Sequence, residues 1–477
     1  MIDYQSLGNE VLGNGSEIED KDPATGSVIA KVKTMSEEDV EAAIRRAAEA
    51  FATWSRTNPV KRGQILTRAG EIMESEVEEL ALLMTMEEGK TLSDSRLEVT
   101  RSFNTLKFYG SVALRHGGST IPSGTNATTI LTFKEPLGLV ALITPWNFPL
   151  SIPVWKTAPA LAAGNSIVLK PASKTPLIVL EFMRILNRAG LPRDVANVIT
   201  GTGSKLGDLL VSDKRIAAVS FTGSVPVGNH IHSLLGKKEN TTRIQLELGG
   251  KNAVYVDNSA KVDQAADIAV RGAFGLTGQS CTATSRLIVH ESIYQQLKDA
   301  ILIKMNSWKV GPGTEDDVNM GPVVDGNQLN TDLEYIELGK KEGLRPMYGG
   351  GIEGSNSLFL KPTIFEDVSP ESRLFKEEIF GPVLSVIRAK NEDEAIELVN
   401  SVSFGHTSAI VTENLPTAMK FVNSVDTGVV KVNRPTVGVE LQAPFGAFKK
   451  SGANTWKEMG EEAMAFYTRE KTVYLGW

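Results

Sequence analysis

Across residues 36–54 the apolar positions Val40, Ile44, Ala47, Phe51 and Trp54 recur at steps of four and three, which lays one hydrophobic stripe along an amphipathic helix. Ser36 and Asp39 stand three apart just ahead of it, as a capping box requires, so helices are expected to open the chain. From residue 139 the pattern changes. Short apolar runs at 139–143, 167–169, 195–199, 216–220 and 244–248 alternate with helical stretches. Parallel neighbours need crossover helices, so this alternation predicts a doubly wound parallel sheet. The helix at 176–188 carries Leu177, Val179, Leu180, Phe182, Met183 and Ile185, and Gly190-Leu191-Pro192 ends it.

After Gly249-Gly250 the alternation restarts, with helical stretches at 262–272 and 291–305 and apolar runs at 383–387 and 427–432. A second α/β domain follows, and a chain of 477 residues exceeds what one hydrophobic core usually serves. Two extended segments lie outside both patterns, 128–133, which Pro136 and Gly138 turn, and 472–475. Strands of this kind pair with another subunit.

Composition narrows the function. A net charge of -7 speaks against a nucleic-acid partner, which needs a concentrated basic face. The N-terminus has no basic segment followed by an apolar run, and no later stretch reaches the apolar length of a membrane span, so a cytoplasmic protein without a membrane partner is expected. One cysteine excludes an internal disulfide, and His116, His230, His232, His290 and His406 show no zinc spacing, so no metal is expected.

That cysteine, Cys281, sits among small polar residues in Gly278-Gln279-Ser280-Cys281-Thr282-Ala283-Thr284, which reads as a loop. A lone cysteine is often a small buried hydrophobe, but polar flanks favour a nucleophile. Glu247 closes an apolar strand before a double glycine; it is either a base with a raised pKa or a carboxylate facing solvent. Thr144-Pro145-Trp146-Asn147-Phe148-Pro149 follows the first strand at the carboxyl end of the sheet, where ligands bind. Its prolines fix a turn that either is simply packed or holds the Asn147 amide as an oxyanion donor. The turns Gly201-Thr202-Gly203 to Gly207 and Phe221-Thr222-Gly223-Ser224 run from strand to helix, as a pyrophosphate site or as ordinary loops.

Together with Glu247-Leu248-Gly249-Gly250-Lys251, Glu377-Glu378-Ile379-Phe380-Gly381-Pro382-Val383 and Pro444-Phe445-Gly446, these motifs stand in the order and approximate spacing of the aldehyde dehydrogenase superfamily, which the chain resembles from about residue 28 onward. The resemblance implies a Rossmann-like cofactor domain (1–115 and 136–248), an α/β catalytic domain (249–450) and a small β oligomerisation extension (116–135 and 460–477) that makes a homodimer or homotetramer. It implies that Cys281 is the nucleophile, Glu247 the general base, Asn147 half of an oxyanion hole completed by the Cys281 N–H, and Lys156 an aid to proton relay. A nicotinamide dinucleotide would lie along Thr144, Trp146, Lys170, Ser173, Lys174, Gly203, Gly207, Phe221, Gly223, Ser224, Leu248, Glu378 and Phe380. Ser173 stands where NAD-preferring relatives commonly carry a glutamate, so NADP is expected, with NAD as the alternative.

Within the superfamily the chain looks most like archaeal enzymes acting on 2,5-dioxopentanoate. A small aldehyde with a distant carboxylate would meet Arg101 or Arg434, in a pocket with Phe148, Trp155 and Phe445. Succinate semialdehyde and glyceraldehyde are the alternatives. Readings of another class are a non-catalytic protein on this fold and a cysteine hydrolase, though no histidine is expected beside the thiol.

Overall fold

Parallel strands must be covered on both faces, and the apolar runs are long enough to build two such sheets. The computed structural model describes residues 2–9, 13–354, 358–453 and 455–477. The first sheet comprises β1 (Leu139–Ile143), β2 (Ser166–Lys170), β3 (Ala196–Val198), β4 (Ile216–Thr222) and β5 (Arg243–Glu247) in the order β3-β2-β1-β4-β5, all parallel. The winding reverses between β1 and β4, which opens a crevice at their carboxyl ends. Four N-terminal helices, Glu37–Trp54, Pro59–Ser75, Val77–Glu88 and Leu92–Val112, share one hydrophobic core with this sheet.

The second sheet comprises β6 (Asn252–Val256), β7 (Thr284–His290), β8 (Pro346–Tyr348), β9 (Thr363–Phe365), β10 (Val383–Ala389), β11 (Thr407–Val411) and β12 (Val429–Val432). Its order is β8-β9-β10-β7-β6-β11-β12, and only the β8–β9 edge is antiparallel. Among the described residues no helix is long and apolar enough to cross a membrane.

The capping box forms as expected: the Asp39 N–H donates to Ser36 Oγ at 3.2 Å and the Ser36 N–H to Asp39 Oδ2 at 2.9 Å. Helices do not open the chain alone, however. A hairpin of Glu17–Lys21 with Val28–Lys33 precedes the capped helix; charged residues at alternate positions masked it. The extended segments are also longer than their apolar residues suggested. Thr128–Pro136 pairs antiparallel with Thr468–Gly476 over nine residues, apart from both main sheets. Arg469, Glu470 and Lys471 open the latter strand, where Lys134 pairs with Glu470 and Lys471 with Glu135 across the ladder.

The hairpin delivers a carboxyl into the first core. Asp20 is 2% exposed and faces Glu87, whose carboxylate accepts from the Leu177 and Ile178 N–H groups at 2.6 and 2.8 Å. Burial raises the Asp20 pKa to about 7 and pushes Glu87 well above its ordinary value. A folded-state pKa above the unfolded one gives stability present below about pH 4 and lost as pH rises through about 7. Asp20→Asn should therefore leave stability near pH 4 nearly unchanged and raise Tm at pH 8 by roughly 2–4 °C. Calorimetry at the two pH values checks this; an equal shift at both would contradict it.

Candidate active site

The carboxyl ends of β1, β2 and β4 open on a cavity of about 570 Å3 lined by Thr144, Trp146, Lys170, Ser173, Lys174, Gly203, Gly207, Phe221, Gly223 and Ser224. Trp146, Gly223 and Ser224 continue into a second cavity of about 250 Å3, with Asn147, Leu248, Gln328, Glu378, Phe380 and Cys281. A third, narrower space holds Arg101, Phe148, Trp155, Glu247, Phe445, Glu458 and again Cys281. The thiol thus stands where a long cleft meets a short tunnel.

The loop that presents Cys281 is strained. Leu276 and Thr277 adopt left-handed backbone (φ 54° and 57°), which costs side-chain-bearing residues roughly 1–2 kcal/mol each. Gly278 (φ 67°) follows, and a side chain there would strike the Gly381 carbonyl. Thr277 Oγ1 donates to the Gly321 carbonyl at 3.1 Å, and Gln279 Oε1 accepts from the Val324 N–H at 2.9 Å. These bonds hold the loop against its own backbone preference. Asn147 Nδ2 donates to the Gln279 carbonyl at 2.9 Å, so the amide is tied to the loop two residues before the thiol.

Carboxyl groups surround the sulfur. Burial, reinforced by Glu247, Glu378 and Glu458, pushes the Cys281 thiol well above its ordinary pKa. Glu247, the last residue of β5, is 3% exposed; burial and the neighbouring Glu458 raise its pKa well above the carboxylate range. Lys156, fully buried, donates to Ser220 Oγ at 2.7 Å and pairs with Glu458. The expected lysine near the base therefore reaches it through a second carboxylate.

At the far end of the cleft, Lys170 is buried and, among the described residues, has only the Pro171 carbonyl as acceptor, at 3.1 Å; burial lowers its pKa to about 8. Ser224 caps the helix Val225–Leu235, yet its hydroxyl makes no capping bond and faces the cavity. Phe380, itself left-handed (φ 64°), meets Trp146 edge to face with centroids 5.5 Å apart. Glu378 accepts from the Gly250 N–H at 2.8 Å, and burial raises its pKa to about 7.

The chain, whose Cys281 lies between a dinucleotide-sized cleft and a tunnel holding a buried carboxylate, matches the sequence profile of the aldehyde dehydrogenase family over residues 11–473. The chain belongs to this family. It is 60% identical, over the whole of both chains, to 2,5-dioxopentanoate dehydrogenase of Saccharolobus solfataricus. It is 43% identical to alpha-ketoglutarate semialdehyde dehydrogenase of Haloferax volcanii, over 96% of each chain. Betaine aldehyde dehydrogenase of Staphylococcus aureus, solved in complex with NAD+, superposes with a TM-score of 0.93 at 33% identity, covering 96% of this chain and 91% of that one. An E. coli NADP dependent enzyme superposes at 0.94 with 31% identity, covering 97% and 95%.

Three expectations about this dehydrogenase change. Arg434 is not in the tunnel with Cys281; it lines an adjoining cavity with Lys431, because the loop after β12 carries Gly438 and Val439 inward instead. Lys174 is already engaged: it pairs with Asp325 at 2.6 Å and lies over the Trp146 ring. A histidine does approach the site, since His406 Nε2 lies 3.7 Å from Glu247 Oε2. Motif reading also passed over Glu458, Gln328 and Lys90. The Lys90 ammonium donates to the Asn147 carbonyl at 2.6 Å. Only Lys90 carried a sequence signal, as a lysine directly after a glycine that ends a helix.

Proposed function

We propose that this dehydrogenase oxidises 2,5-dioxopentanoate, a semialdehyde whose far end is a carboxylate, to the dicarboxylic acid. One observation carries the choice among aldehydes: Arg101 is the only cation lining the tunnel with Cys281, and among the described residues it has no carboxylate within ion-pair distance. A guanidinium matches a carboxylate with two parallel hydrogen bonds, whereas a neutral aldehyde leaves it unused. The names of the archaeal relatives support the same substrate.

In this reading Glu247 takes the Cys281 thiol proton and hands it on to Glu458 as the sulfur bonds to the aldehyde carbon, while Asn147 Nδ2 and the Cys281 N–H receive the oxyanion. The bound nicotinamide supplies the oxidation by accepting the hydride of the resulting thiohemiacetal. Glu247 then takes a proton from water, the water oxygen bonds to the thioester carbon, and the C–S bond breaks to release the acid. Glu458 and Lys156 pass that proton inward, away from the reacting carbon.

The cleft fits a dinucleotide, since a buried ammonium with one backbone acceptor at its adenosine end is a cation awaiting an anion. Its single lining carboxylate, Asp208, is held by His230 at 2.9 Å. With Ser173 on the rim, no carboxylate stands at that position to repel a 2′-phosphate, which supports NADP. The exposed Tyr474 and Leu475, on a strand at the edge of its sheet, and Trp477 just after it support assembly as a homodimer or homotetramer. Light scattering at micromolar concentration should give a multiple of the chain mass, and a monomer would count against it.

Arg101→Met should raise KM for 2,5-dioxopentanoate by about tenfold to a hundredfold, the worth of one charge-assisted pair, and leave KM for propionaldehyde within about twofold. If the unmodified enzyme turns over glyceraldehyde with the higher kcat/KM, the carboxylate clamp is wrong. For the cofactor, kcat/KM should be higher with NADP than with NAD, and Ser173→Glu should reverse the order. A preference for NAD in the unmodified enzyme rules this out.

A further inference from the structure

Two buried polar atoms near the thiol lack partners and face each other. Glu247 Oε2 and His406 Nε2 make no hydrogen bond, and they lie 3.7 Å apart, 3% and 1% exposed by residue. Buried donors and acceptors are nearly always paired, so an orphan of each kind at this separation marks a bond completed in some state of the enzyme. The imidazole is held for it. Its ring packs on Phe445 with centroids 5.2 Å apart, and Nδ1 lies 3.5 Å from Thr407 Oγ1, which can donate. Nε2 is then the nitrogen that carries hydrogen.

The charged and titratable groups around the pair come from three elements. Glu458 and Lys457 stand on the segment before the last helix, Lys156 on the helix Ser151–Ala163, and Cys281 on its loop. Burial, with Lys457 nearby, lowers the His406 pKa to about 4, so the ring is neutral in the working range. It offers one N–H and no charge. Burial and Glu458 both oppose ionisation of Glu247, and a donor aimed at its carboxylate is the natural counterweight.

We propose that His406 is a positioning residue for the general base: its Nε2–H bonds to the ionised Glu247 carboxylate and holds it towards the acyl carbon on Cys281. This rests on Glu247 acting as the base. A hydrogen bond to the charged form favours that form, so His406 extends the pH range in which Glu247 accepts a proton from water. It should matter for release of the acid and not for the hydride step.

The full-length enzyme, saturated with cofactor, is compared with His406→Leu, His406→Gln and Glu247→Gln. Rapid quench gives acid release from the acyl-enzyme between pH 5.5 and 9, and the burst of reduced cofactor counts active sites. His406→Leu should keep the burst and KM, while the acid-side midpoint of acid release rises by about one pH unit, so that release at the lower pH values slows about tenfold. His406→Gln, with an amide N–H at similar reach, should bring the midpoint most of the way back. An unshifted midpoint in His406→Leu, or equal loss in both variants, overturns the proposal. Glu247→Gln separates the two readings: if it releases acid normally, the base assignment itself fails. If it stalls after the burst while His406→Leu keeps the wild-type profile, only the role of His406 falls.

Discussion

A buried ammonium holds the active-site side of the first domain together. Lys90 is 2% exposed, and an unpaired charge in that position would cost several kcal/mol. Burial works against its charge, but Glu88 and Glu98 outweigh burial and raise its pKa. Burial lifts the Glu88 pKa to about 8, and the closest pair is Lys90 with Glu98 at 2.7 Å. What the pair touches gives it reach. Lys90 also donates to the Asn147 carbonyl, and the other Glu98 oxygen accepts from the N–H groups of Leu150 and Ser151, where the helix Ser151–Ala163 begins. Arg101 stands one turn after Glu98 on the helix Leu92–Val112. One ionic knot therefore sets the amide beside the thiol, the helix that carries Trp155 and Lys156, and the guanidinium in the tunnel.

The knot reaches the second domain through a single amide. Asn147 bonds the Gln279 carbonyl, and Gln279 bonds the Val324 N–H, so the strained turn at Leu276 and Thr277 is gripped from both sides. Each left-handed residue costs about as much as one good hydrogen bond returns, so the thiol keeps its place only while both domains hold the loop. This explains why Cys281 lies between the sheets and not at the end of either one.

How much of this was legible follows from where each signal resides. Strands β1, β2 and β4 were readable because burial on both faces makes them nearly continuous apolar runs. The hairpin at 17–33 and the strand Thr468–Gly476 were missed or shortened, because one face meets water and charges interrupt the run. Cys281, Glu247 and Asn147 could be singled out because each sits in a compact motif whose neighbours are constrained by the same turn. Glu458 and His406 come from segments more than 150 residues from Glu247 and have no local pattern. Their relation to the base exists only once two domains fold onto one another. Lys174 lines the cleft as expected, but its pairing with Asp325, far along the chain, has no local pattern either.

The charges so arranged give the tunnel a direction. Its inner wall carries Glu247 and Glu458 beside the thiol, while Arg101 lines it and Lys431 and Arg434 stand in the adjoining cavity, close enough that both arginines and Glu440 bear on the Lys431 pKa, which burial lowers first, to about 8. A substrate with a carboxylate at one end and an aldehyde at the other can enter two ways. Carboxylate first, it would meet an ionised Glu247 or Glu458; two like charges about 5 Å apart repel by about 3 kcal/mol at an effective dielectric of about 20. Aldehyde first, its carboxylate stays with Arg101. The difference corresponds to a preference of roughly a hundredfold or more, set before any bond to sulfur forms, so the acidity that proton transfer requires also turns the substrate the right way round.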